Sequence, residues 1–76
     1  MKEHIREMLM DVLPTVNLEA DFLFTELDSI SLATILMTLA YNYQIELGAL
    51  DATPKNLRNL DSIVAMVQRK LDEKKV

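Results

Sequence analysis

The stretch from Ser29 to Tyr43, reading Ser-Ile-Ser-Leu-Ala-Thr-Ile-Leu-Met-Thr-Leu-Ala-Tyr-Asn-Tyr, constrains the fold more than any other part of this chain. At about 100° per residue it forms a helix with two separate apolar faces. Leu32, Ile35, Leu36, Leu39 and Tyr43 share one face, and Ile30, Ala33, Met37, Ala40 and Tyr41 share the other. Ser31, Thr34, Thr38 and Asn42 form a polar stripe on the remaining side. A helix of this kind is either central in its bundle or carries a binding surface on the side the bundle leaves open. Asp28 stands directly before it and is a residue type that caps helix starts, so the helix is expected over 29–43.

The flanking segments supply what this helix packs on. Residues 2–13 place Ile5, Met8, Leu9, Val12 and Leu13 at helical spacing, with Lys2, Glu3, Arg6, Glu7 and Asp11 opposite, and Pro14 stops the run. Residues 15–27 carry no regular period and read as an ordered loop pinned to the core by Leu18, Phe22 and Phe24. Gln44-Ile45-Glu46-Leu47-Gly48 breaks the helical period, and the alternation of Ile45 and Leu47 suits an extended stretch. Thr53-Pro54 looks like the start of a short third helix over 54–57. A last helix is expected over 61–73, with Ile63, Val64, Val67 and Leu71 inward and Leu60 just before it. The predicted fold is all-α: a small four-helix bundle in one domain, 1–76, with a long loop between helices 1 and 2.

Composition narrows the function classes. At 76 residues the chain is near the lower limit for folding without a staple, yet half its residues are apolar, which argues for a true core. It has no cysteine, so no disulfide, thiolate metal site or catalytic thiol, and its single histidine, His4, cannot build a zinc site by itself. A net charge of −4 argues against a nucleic-acid surface. The basic cluster Arg69-Lys70 with Lys74-Lys75 reads as a solvated helix end, being interrupted by Asp72-Glu73. No apolar run is long enough for a membrane span and no signal-peptide pattern opens the chain, so a cytoplasmic monomer is the expectation.

The chemistry that remains centres on Leu27-Asp28-Ser29-Ile30. An Asp-Ser pair here caps the helix and leaves a hydroxyl beside the positive end of the helix dipole, where a phosphate is favoured. The chain supplies its own control, since Leu60-Asp61-Ser62-Ile63 repeats the same four letters at the last helix. At one or both places the pair is therefore a plain cap. Making Ser29 a catalytic nucleophile would need a positioned base; His4 is the only histidine and no G-x-S-x-G elbow is present.

Context separates the two copies. Phe22 lies seven residues before Ser29, a two-faced apolar helix follows it, and Tyr43 then leads into Ile45-Glu46-Leu47-Gly48. Leu57-Arg58-Asn59-Leu60-Asp61-Ser62-Ile63 enters the last helix. This ordered set, covering nearly the whole chain, resembles the acyl carrier and peptidyl carrier protein family, whose signature is Asp-Ser followed by Leu or Ile. The resemblance implies that Ser29 is esterified by 4′-phosphopantetheine, transferred from coenzyme A by a phosphopantetheinyl transferase, while Ser62 is only a cap. It implies that Asp28 caps the helix and helps the transferase engage, and that a thiol brought by the cofactor holds an acyl or aminoacyl group as a thioester for loading and downstream biosynthetic enzymes.

The chain also departs from the family pattern. Glu26-Leu27 stand where many relatives have glycine, and no acidic residue occurs between Ser29 and Gln44. Thr34, Ala40 and Tyr41 fall where fatty-acid carriers are expected to show acids to basic partners. An apolar partner face of Ile30, Ala33, Met37 and Tyr41 points to specialised biosynthesis with a dedicated loading enzyme rather than bulk fatty-acid synthesis. The rival reading is a helical interaction module of carrier-like fold whose serine is never modified.

Overall fold

The computed structural model describes residues 1–74. Three α-helices are found there: α1 (Lys2–Val12), α2 (Ser29–Tyr43) and α3 (Leu60–Lys74). Two short 3-10 turns, Leu23–Glu26 and Ala49–Asp51, punctuate the connectors, and no strand occurs among the described residues. The fold is thus all-α, and the expected fourth helix is absent. Each helix packs on the other two, and a radius of gyration of 11.3 Å equals that of a fully collapsed chain of this length, about 11 Å.

The core follows from helical periodicity with a few local reassignments. Ile5 and Leu9 from α1, Ile35, Leu36 and Leu39 from α2, and Leu60, Ile63, Met66 and Val67 from α3 are buried together with Leu18, Leu23, Ile45 and Leu57 from the connectors. Met66 had no place in the expected inward set of α3. Val12 was expected inward and is exposed: it is the last residue of α1, and Leu13 beyond it packs back on the core instead. Phe22 was expected to pin the loop and is 58% exposed, whereas Leu23 is fully buried. The reason is local. The Leu23 N–H donates to the Arg58 carbonyl, which fixes Leu23 as the first residue of the 3-10 turn and leaves Phe22 outside it.

At 54–57 the anticipated cap forms without the helix. The Asn56 N–H donates to Thr53 Oγ1 at 3.1 Å, and the Leu57 N–H reaches the Thr53 carbonyl at 3.0 Å, closing one turn. Propagation stops there because Asn59, two residues on, is already engaged as the cap of α3: its side-chain oxygen accepts from the Ser62 N–H at 2.9 Å. A single turn fixes several backbone angles for one bond and does not persist as a helix on its own. Ser62, expected to cap the last helix, lies inside its first turn and donates its hydroxyl to Asn59 Oδ1 at 3.1 Å. Asp61, its neighbour, pairs with Lys2 at 2.8 Å and so ties α3 to the start of α1.

The far end of α2 closes with a left-handed residue. Gln44 has φ 54°, its N–H bonds back to the Ala40 carbonyl, and so does the N–H of Ile45. The Ile45 bond is the wide closure of a Schellman-like cap and the Gln44 bond that of the simpler left-handed cap; glycine is the usual occupant of the left-handed position in both. It turns the chain so that Ile45 is buried and Leu47 packs on the core, as their alternation implied. Asp51 then fastens the second connector: its carboxylate accepts from the Gly48 N–H at 2.9 Å and pairs with Lys70 of α3 at 3.3 Å. The Gly48 hydrogen bond, aided by Lys70, holds its carboxyl below the ordinary carboxylate value. Lys70 and Arg69 are therefore engaged with the 51–56 connector, not simply solvated, while Lys75 of that basic cluster lies outside the described residues.

Candidate functional site

The N-terminus of α2 is built from a cap and a displayed hydroxyl. Asp28 has an extended backbone, and its Oδ1 accepts from the Ser31 N–H at 2.7 Å while its carbonyl accepts the first helical bond, from the Leu32 N–H, at 2.9 Å. The Ser31 bond is the main cause of a carboxyl held below its ordinary value, so Asp28 is ionised across the neutral range. Leu27 and Leu32 flank this cap at the positions of a hydrophobic staple, and both pack on the core. Leu27 also ends the 3-10 turn, its N–H bonding to the Phe24 carbonyl, so the loop delivers Asp28 from an anchored segment.

Ser29 is the first residue of α2, exposed, and its hydroxyl makes no hydrogen bond among the described residues. Ser62 differs on every count: it lies deeper in its helix, is half-buried, and has its hydroxyl engaged by Asn59. The identical tetrapeptides are thus displayed differently. The amides around Ser29 are less open to an anion than the sequence suggested, because Asp28 already takes the Ser31 N–H. A covalently attached phosphodiester fits an exposed hydroxyl at this rim, but it would project outward beside the Asp28 carboxylate rather than replace it on the dipole.

The second apolar face of α2 is bare. Ile30, Met37 and Tyr41 are 77%, 71% and 78% exposed, and Ala33 is exposed beside them. Ala40 is half-buried and belongs only to the margin. From Ile30 to Tyr41 the stripe runs about 16 Å along the helix, within roughly 80° of arc, and Ser29 adjoins its N-terminal end. Residues 29–44 carry no charge of either sign, so this face has no electrostatic character of its own. Leu50, on the second 3-10 turn, is 94% exposed and escaped the sequence reading, since an isolated leucine in a connector has no period by which to judge it.

The only imidazole in the chain stands elsewhere. His4 Nδ1 lies 3.0 Å from the Tyr43 hydroxyl, with the two rings edge to face, and burial pushes the Tyr43 phenol above its ordinary value. Tyr43 ends α2 about 20 Å along its axis from Ser29. Ser29 and His4 therefore form no dyad within one chain. Among the described residues there is no cluster of His, Asp or Glu able to hold a metal ion, and no helix is long and apolar enough to cross a membrane.

A second surface feature joins parts distant in sequence. Phe22, Phe24 and Thr25 from the first connector, Pro54, Lys55, Asn56 and Arg58 from the second, and Ser62, Ala65 and Arg69 of α3 line an open groove of about 640 Å³. Compared with protein-family models, curated proteins and solved structures, the chain matches none.

Proposed function

We propose that this chain is a carrier whose Ser29 hydroxyl is the attachment point for 4′-phosphopantetheine. The observation that carries the reading is the contrast between the two serines: one hydroxyl stands unbonded at a helix rim, while its twin is half-buried and bonded inward. When attached, the group would supply a thiol able to hold an acyl or aminoacyl unit as a thioester, chemistry that a cysteine-free chain lacks. Asp28 contributes by holding the first turn of α2 in register, which keeps Ser29 at the rim. The anchored 3-10 turn and Leu27 keep the approach to that rim fixed.

The stripe of Ile30, Ala33, Met37 and Tyr41 next to Ser29 would meet the transferase and the loading enzyme. Its lack of charge favours a dedicated partner of matching apolar shape, in specialised biosynthesis, over the basic partners of bulk fatty-acid synthesis. The same stripe is the observation behind a second reading, an unmodified interaction module of carrier-like fold.

Intact mass after co-expression with a broad-specificity phosphopantetheinyl transferase tests the proposal. One added arm, lost in Ser29→Ala and kept in Ser62→Ala, is expected. No gain of mass with any transferase, in a protein that is folded, would leave the interaction module.

A further inference from the structure

The groove between the two connectors and α3 is charged against the sign of the molecule. The chain is acidic, at −4, yet the groove is lined by three cations, Lys55, Arg58 and Arg69, and by no carboxylate. None of the three forms a direct ion pair among the described residues, although Arg69 is near enough to the Asp51 carboxylate, itself paired with Lys70, to help hold it below its ordinary value. A cleft lined by cations concentrates anions at its surface.

The two guanidinium groups are held rather than free. Arg69 donates one N–H to Asn56 Oδ1 at 2.7 Å, and Asn56 is itself fixed by donating to the Asp51 carbonyl at 3.1 Å. Arg58 lies over the Phe22 ring at 5.0 Å, and its carbonyl takes the Leu23 N–H that joins the two walls. Each guanidinium therefore keeps N–H donors unused while its position is set, which suits paired hydrogen bonds to a carboxylate or phosphate. The exposed Phe22, the half-buried Phe24 and Pro54 give the groove an apolar side.

We propose that this groove is a binding site for a compact amphiphilic anion, with a carboxylate or phosphate head on Arg58 and Arg69 and an aromatic or short alkyl body against Phe22. The inference does not depend on the carrier reading. Its volume falls within the range of small-molecule sites, about 300–1,000 Å³. A small ligand is favoured over an acidic protein segment because the acidic bulk of the chain repels an extended acidic partner. A compact anion, by contrast, feels mainly the charges within about one Debye length, roughly 8–10 Å.

The test is titration of the full, unmodified chain with 4-phenylbutyrate, followed by amide chemical shifts, beside its uncharged analogue 4-phenylbutyramide. Saturable shifts are expected at Phe22, Thr25, Asn56, Arg58 and Ala65, weakening as salt is raised, with the amide bound at least about tenfold more weakly. Arg58→Gln and Arg69→Gln should each weaken binding about tenfold or more, and Phe22→Ala should weaken both probes. Lys55→Gln is the substitution least able to disturb the fold and should lower affinity by a smaller factor. Equal binding of acid and amide, shifts centred elsewhere, or no saturation would overturn the assignment. So would a Glu-rich peptide that occupies the groove when the carboxylate does not.

Discussion

Met37 and Leu39 are two residues apart on α2 and face opposite environments, so substituting each in turn tests the orientation on which the site depends. Leu39 is fully buried, and Leu39→Ala removes three carbons from the middle of the core. At about 0.8 kcal/mol per buried methylene the lost transfer energy is about 2.4 kcal/mol. Space left unfilled adds to this, for a total of about 3–4 kcal/mol. A domain of 76 residues has a total stability of roughly 4–11 kcal/mol, so this one change removes a large share of it. With a urea slope of about 1 kcal/mol/M, the unfolding midpoint should fall by about 3–4 M. Ile35→Val, at about 1 kcal/mol, keeps the scale readable if Leu39→Ala leaves too short a folded baseline. Met37→Glu should move the midpoint by less than about 0.5 M, since surface changes rarely exceed 0.5 kcal/mol and the two residues have similar helix propensity. It should nonetheless impair loading by the partner enzyme if the carrier proposal holds. A shift for Met37→Glu as large as that for Ile35→Val, or one under about 1 M for Leu39→Ala, would show that α2 is rotated from the orientation described.

Three further outcomes are expected. Because the folded-state pKa of Asp28 lies below 3.8, its cap contribution is present above about pH 4 and is lost as pH falls through the lower, folded value. Asp28→Asn keeps the cap without the titration, so its urea midpoint should fall less than that of the parent between pH 4 and pH 2. Asn59→Ala removes the cap of α3 and should cost about 1 kcal/mol, or about 4–8 °C in Tm by thermal circular dichroism. Gln44→Gly relieves the left-handed backbone at the end of α2 and should raise stability by up to about 1 kcal/mol, less what the Gln44 side chain gains by donating to the Tyr41 carbonyl.

The parts of this molecule legible in its sequence are those set by local chemistry. The start of α2 at Asp28, the Thr53 cap and the alternation that buries Ile45 each follow from residues within a few positions, and the two apolar faces of α2 follow from its period, though which face stays bare is set by packing on α1 and α3. What escaped depends on partners far along the chain. Whether Phe22 or Leu23 points inward is decided by the Arg58 carbonyl, and the cation-lined groove exists only once two connectors and α3 meet. The end of α2 at Tyr43 was legible in the break of helical period, but the device that makes it was not: Gln44 takes the left-handed conformation without being glycine. The fourth helix failed because its cap was legible and the competing claim of Asn59 on the same few residues was not.

Which of two twin hydroxyls meets solvent is decided two places upstream of each Asp-Ser pair's aspartate. Asn59 has a short amide that seizes the helix start, so the serine after it is swallowed into the opening coil. At the matching place Glu26 closes the preceding 3-10 turn instead; the start slips forward to Asp28, and its serine is stranded on the lip. Exposure at an Asp-Ser pair is here inherited from a neighbour outside the motif. Exchanging Glu26 and Asn59 should therefore trade the outward serine for the inward one with both tetrapeptides left unaltered.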